Sequence, residues 1–187
     1  MRNLVLLAMV VLSLPGCETD RPEDVLTDQK ILFHYSYENW AWGHQFYGWY
    51  IDNLGQVWST KSPIHWCDEV MNVVSMKNED IWIDREHTEN TYENSKDSLL
   101  MILDLDEMED RYKLIGTLVN SEYTHPVNTG CDMGSAIYGC LYYDPGQDMY
   151  KRIILKAWGD WSFMLPDSTS TILIEWFDSL YAAILYP

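Results

Sequence analysis

The chain has 187 residues, with 29 acids against 12 Lys and Arg and a formal net charge of −17. That balance excludes nucleic acid and anionic lipid headgroups as partners, because both select for basic surface. It leaves room for a basic partner or for cations, and its plainest consequence is solubility. The length is that of one domain, which buries roughly 70% of its unfolded surface.

The chain opens on Arg2 and then Leu4 to Leu14, apolar except for Ser13, followed by Leu14-Pro15-Gly16-Cys17. A run of about eleven apolar residues is too short to span a bilayer, which needs roughly 20. It reads as the apolar region of an export signal. The charge, the apolar run and the Gly-Cys step together resemble a bacterial lipoprotein signal peptide, with Leu14 and Gly16 in the positions such a box requires. The resemblance implies cleavage before Cys17, which then carries a thioether-linked diacylglycerol and an amide-linked acyl chain. Two or more acyl chains anchor stably, at about 0.8 kcal/mol per buried CH₂. The expected organisation is a signal peptide over 1–16, an acidic tether over 17–29 and a single domain over 30–187. The protein is then held on the cell membrane or outer membrane, facing outside the cytoplasm, where disulfides form. With Cys17 acylated, Cys131 and Cys140 are the favoured disulfide; pairing of Cys67 with either stays open.

Lys30 to Tyr37 alternates, with Ile31, Phe33, Tyr35 and Tyr37 on one side and Leu32, His34 and Ser36 on the other, which predicts a strand. Phe33 to Tyr50 is dense in aromatic rings and is interrupted by Gly43 and Gly48, where a bend is expected. Phe46 to Ile51 and Gln56 to Thr60 flank Asp52-Asn53-Leu54-Gly55, a hairpin with Asp opening the turn and Gly taking positive φ. Ile64 to Met76 carries apolar residues at helical spacing. Lys77 to Lys96 is polar and is expected to be a surface excursion, with a short ordered piece at Ile81-Trp82-Ile83. Leu99 to Leu103 fits a strand or a helix.

Asp104 with Glu107 matches a capping box. The stripe Leu105, Met108, Tyr112 and Ile115 follows, with Gly116 as the expected stop. Thr124 to Gly134 reads as a loop. Ser135 to Tyr143 and Met149 to Trp158 are strands joined by Asp144-Pro145-Gly146-Gln147-Asp148, where Pro-Gly suits a type II turn. Polar residues on both faces of the second strand place it near a sheet edge. Gly159 to Pro166 is a connection. Asp167 or Ser168 caps a final helix with the stripe Leu173, Trp176, Phe177, Leu180, Tyr181 and Ile184. The order predicts the α+β class: an antiparallel sheet built from hairpins, with two or three packing helices.

Chemical signatures are sparse. There is no G-x-S-x-G elbow, H-E-x-x-H or Cys-x-x-Cys. His65 and Cys67 stand two apart, which on a helix points them in different directions. Asp104, Asp106, Glu107, Glu109 and Asp110 lack the EF-hand pattern and read as a solvated helix face. No metal or cofactor is expected. Asp52, Asp132 and Asp160 stand at turns beside aromatic strands, as active-site acids of a glycan hydrolase do, but turns ordinarily use Asp there. Trp40, Trp42, Trp49 and Trp58 are candidates for stacking on sugar rings, against the competing expectation that they fill the core in place of scarce Phe.

Two patches resemble bacterial lipoproteins to which no activity is attached. One is Ala41-Trp42-Gly43 with Gly48-Trp49-Tyr50-Ile51-Asp52 and Gly55-Gln56-Val57. The other is Cys131-Asp132-Met133-Gly134-Ser135 with Tyr143-Asp144, Ile153 to Leu155 and Gly159-Asp160. That resemblance transfers no functional residue. The expected function is a lipid-anchored, non-enzymatic envelope module with a protein or glycan partner. The alternatives are an envelope hydrolase using paired carboxylates and an acidic inhibitor or immunity-type lipoprotein.

Overall fold

The computed structural model describes residues 27–62, 67–75 and 81–186. The expected export leader, Cys17, the stretch through residue 26, His65 and the side chain of Cys67 lie outside the described residues. The described chain is one compact α+β domain, whose elements in order are β1 (Ile31–Asn39), β2 (Gln45–Asp52), β3 (Gln56–Thr60), α1 (Cys67–Val74), β4 (Trp82–Asp84), α2 (Arg85–Ser95), β5 (Lys96–Ile102), α3 (Leu105–Leu118), β6 (Val127–Asn128), β7 (Ser135–Asp144), β8 (Met149–Gly159), β9 (Trp161–Met164) and α4 (Ser168–Leu185).

The strands form a nine-stranded antiparallel sheet in the order β5-β3-β2-β1-β7-β8-β9-β6, with β4 also paired to β8. Helices cover both faces. On one, α3 and α4 pack over Phe33, Tyr35, Trp49, Ile51, Tyr138 and Leu155. On the other, α1 contributes Val70 and α2 contributes Tyr92 over Tyr50, Ile137, Leu141 and Ile154. The register of β1 against β2 shifts between Ile31 and Phe33, so Leu32 joins Phe33 in the first cluster while Ile31 enters the second. The strict alternation expected across Lys30 to Tyr37 therefore begins only at Phe33.

Local chemistry sets several elements as the sequence predicts. Asp52 takes Leu54 N–H at 3.0 Å and Gln56 N–H at 2.9 Å on one carboxylate oxygen, and Gly55 turns the hairpin at φ +73°. Asp104 accepts from Glu107 N–H at 3.0 Å to start α3, and Asp167 accepts from Ser170 N–H at 2.8 Å to start α4.

Other expectations are corrected. Much of the polar stretch expected as an excursion is β4 and α2. The buried face of α2 consists of Thr88, Glu89, Tyr92 and Ser95, mostly polar residues, so no apolar stripe announces it. Two of its polar side chains find partners: Thr88 donates to Asp84 C=O at 2.7 Å, and Glu89 accepts from Tyr150 Oη at 2.9 Å and faces Lys30 Nζ at 2.9 Å. Of Leu99 to Leu103, the first four residues are strand, the end of β5, and Leu103 follows it. Helix α3 passes Gly116, where a side chain would meet only open space, and ends at Leu118. In the β7–β8 turn the left-handed residue is Asp148 (φ 55°) and not Gly146, so the turn is not type II. Strand β8 is interior: β7 pairs along one side, and β4 and β9 share the other. Its Lys151 is buried because Nζ donates to Val119 C=O at 2.6 Å.

Cys131 and Cys140 are not joined. Cys140 is wholly buried in β7, opposite Phe33 and Ile153, whereas Cys131 is exposed in the loop before that strand. Cys140 stands five residues into β7, about 16 Å along it at some 3.3 Å per residue. A disulfide needs its Cα atoms within roughly 7 Å.

Candidate functional site

The domain has two poles, defined by the ends of β1. At the first, the chain enters through Gln29, which the sequence assigns to the tether. Gln29 is fully buried; its Nε2 donates to Ile31 C=O at 2.6 Å and to Leu141 C=O at 2.7 Å, and its Oε1 accepts from Tyr112 Oη at 3.3 Å. The Asp52–Gly55 turn shares this pole, since Asn53 Nδ2 donates to Thr27 C=O at 2.6 Å.

At the other pole, β1 passes into the loop that carries Trp40 and Trp42. Trp42 is 81% exposed and Trp40 is 63% exposed. Asn39 Oδ1 accepts from Ala41 N–H at 2.8 Å, and Gly43 turns the loop at φ +97°. One face of Trp40 stacks on the imidazole of His44, with centroids 4.0 Å apart and planes at 25°. His44 Nε2 lies 3.0 Å from Glu38 Oε1. The indole is thus fixed by a stacked ring that is itself held by a carboxylate. The loop before β7 closes against this one, with Asn39 Nδ2 donating to Asp132 C=O at 3.2 Å and Tyr37 Oη donating to Met133 C=O at 3.3 Å.

The other two tryptophans of the predicted set do not belong here. Trp49 is core, 1% exposed, with its ring stacked on Phe177 at 5.4 Å. Trp58 is half-buried: Nε1 donates to Asp52 Oδ2 at 3.0 Å, and Lys96 Nζ sits 3.9 Å from its ring centre. Both are removed as stacking candidates by burial or by a partner already on the ring.

A second set of rings comes from cross-strand register. Trp158, Ala136, Tyr37 and Tyr47 are consecutive partners across β8, β7, β1 and β2. Apart from the alanine, these side chains are half-buried at the margin of the core under α3 and α4. Behind them the next row, Lys156, Tyr138, Tyr35 and Trp49, is packed under α4, where Tyr138 stacks on Phe177 at 4.7 Å and Tyr35 meets Tyr181 at 5.2 Å. Lys156 Nζ lies 5.1 Å from the Trp158 ring centre. Tyr138 Oη donates to Asp178 at 2.9 Å; burial first, and this carboxylate second, push the phenol well above its ordinary range. The alternation of Tyr35 with Tyr37, and of Ala136 with Tyr138, was visible in the sequence. That β1 lies between β7 and β2 was not.

The three turn acids weighed against a hydrolytic role are divided between the poles. Asp52 is at the chain-entry pole, occupied by the hairpin turn and Trp58. Asp132 is exposed with φ +65°, and Asp160 Oδ1 accepts from Met133 N–H at 2.8 Å. The acidic face of α3 is laced by its own cations: Glu109 to Lys113 at 3.0 Å and Glu107 to Arg111 at 3.7 Å. Among the described residues, no three of His, Cys, Asp and Glu gather as metal ligands, and no helix is long and apolar enough to cross a membrane. Comparisons with protein families, with curated proteins and with solved structures return no match to this chain.

Proposed function

We propose that the protein is a lipid-anchored module of the cell envelope, outside the cytoplasm, which binds a partner through the pole that carries Trp40 and Trp42 and performs no chemistry of its own. The observation that carries this reading is the separation of the two poles. Chain entry at Gln29 and the tryptophan loop stand at opposite ends of β1, nine residues long, so on the order of 25–30 Å apart. Residues 17–26 would span at most about 36 Å at full stretch. An acylated Cys17 therefore holds the entry pole toward the lipid. Laying the tryptophan loop on the same bilayer would require the tether to run nearly taut along the domain, which costs chain entropy. The relaxed arrangement presents the exposed indoles outward. The acidic charge adds repulsion from anionic headgroups.

Metabolic labelling with a fatty-acid analogue tests the anchor. Label should enter the wild-type chain and be lost in Cys17→Ala. A chain that begins at Met1 and stays in the soluble fraction without detergent would remove the reading.

A further inference from the structure

We infer that the open edge of β5 takes up an extended segment of a cationic protein partner as a further strand of the sheet. This surface is separate from the tryptophan pole and goes beyond the reading above. Strand β5 ends the sheet: it pairs with β3 on one side, and among the described residues no strand lies on the other. The opposite end of the sheet, β6, is two residues long and offers little edge. Two contacts fix how the backbone of β5 faces. Ser98 turns inward, its N–H donating to Ser59 Oγ at 3.0 Å and its C=O accepting from that hydroxyl at 3.3 Å. Leu103, just after the strand, also turns inward and donates to Gly55 C=O at 2.8 Å. These two residues stand an odd number of positions apart, and the register shift opposite Val57 and Trp58 supplies the extra one, Leu100. Strand alternation then points the N–H and C=O of Leu99 and Ile102 away from the sheet. Their side chains are open as well, Leu99 at 44% and Ile102 at 64% exposure. Sheet edges are ordinarily blunted by proline, charge, bulges or a covering element. Here the bulge and Lys96 remain, but the last four residues, Leu99 to Ile102, hold neither proline nor charge.

Backbone chemistry and charge select the occupant. Lipid would leave the outward N–H and C=O groups without partners, whereas an added strand bonds them and covers the leucine and isoleucine with its own alternate side chains. A second copy is disfavoured twice. Two chains of net charge −17 repel. A two-fold pairing of β5 with itself is antiparallel, so it would set the two chain-entry poles at opposite ends of the joined sheet, and only one could face the bilayer of the anchored protein. The strand and the turns at its ends carry Glu93, Asp97, Asp104 and Asp106, all exposed. The cation among them, Lys96, is already engaged, 3.4 Å from Glu93 and 3.9 Å from the Trp58 ring centre. The complement is an extended segment with apolar residues at alternate positions and Lys or Arg between them.

The test is calorimetric titration of the full chain, in nonionic detergent, with an acetylated and amidated octapeptide of alternating lysine and valine. It should bind with micromolar to millimolar affinity, more weakly as salt is raised. The same peptide N-methylated at alternate residues, which removes the donors of one edge, should lose about tenfold, and a glutamate–valine peptide should not bind. Ile102→Pro deletes an N–H that the fold itself does not use, so it should weaken the lysine peptide about tenfold with circular dichroism unchanged. Leu99→Lys should weaken it as well, while Ile172→Ala, exposed on α4, should not. No binding of the lysine peptide at millimolar concentration, equal binding of the methylated or the glutamate peptide, or wild-type affinity in both edge variants overturns the inference. So does sedimentation of the full chain as a dimer that Ile102→Pro dissociates, since the edge would then belong to a second copy. The titration does not depend on acylation, so failure here is distinct from loss of the fatty-acid label at Cys17.

Discussion

The imidazole of His34 lies directly on Gly139, its partner across the β1–β7 pairing, so closely that a β-carbon at position 139 would collide with its Nε2. The absence of a side chain at 139 is what allows a histidine to be buried in the middle of the sheet, beside Tyr92 at 6.4 Å between ring centres.

Gly139→Ala should therefore destabilise the fold by about 1–3 kcal/mol, the usual cost of overpacking a core. Urea denaturation of Gly139→Ala, His34→Ala and the double variant forms a cycle. The expected coupling is about 0.5–3 kcal/mol, the alanine at 139 costing less once the ring is gone. Strictly additive effects would mean that some other contact restricts position 139.

His34 also gives stability a pH dependence. Burial first, and the nearby positive charge of Arg152 second, hold its pKa well below the ordinary 6.5. The folded ring stays neutral where the unfolded one takes up a proton. The unfolded state binds more protons below about pH 6.5, so stability falls as pH drops from there toward the folded pKa. Urea midpoints at pH 7.5 and pH 5.5 should separate for the wild type and draw together in His34→Gln. Equal separation in both would assign the acid sensitivity to other groups.

The two described cysteines should differ sharply in reactivity. Cys131 is exposed, whereas burial pushes the Cys140 thiol far above its ordinary value. Iodoacetamide followed by peptide mass spectrometry should mark Cys131 in native protein and Cys140 only after unfolding. Protection of both until a reductant is added would restore the disulfide that this structure lacks.

Removing the carboxylate that starts α4 should be felt by the whole core. Asp167→Ala takes away the acceptor for Ser170 N–H, at a cost of about 1 kcal/mol. For a domain of this size that lowers Tm by roughly 2–4 °C, measurable by scanning calorimetry. Asp104→Ala should cost a similar amount at α3, and an unchanged Tm in both variants would show that the caps are replaced by water.

What the residues determine by themselves is whatever is settled within one turn of chain. The Asp52–Gly55 hairpin, the caps at Asp104 and Asp167 and the α4 stripe were all legible, because donor and acceptor, or neighbouring knobs of one helix, stand at most a few residues apart. The α+β class follows from the order of such pieces. Tertiary structure decided what depends on distant partners. Helix α2 exists because Glu89 finds Tyr150 and Tyr92 packs edge-on against Tyr50 at 5.2 Å, neither visible in its polar periodicity. Strand β8 carries its lysines and arginine through the sheet interior because Lys151 reaches a carbonyl at the end of α3. The separation of Trp40 and Trp42 from Trp49 and Trp58 follows the same rule. All four are large aromatic residues in or between strands of one hairpin region, and only the placement of α4 over Trp49, and of Asp52 and Lys96 around Trp58, makes two of them structural and leaves two facing solvent.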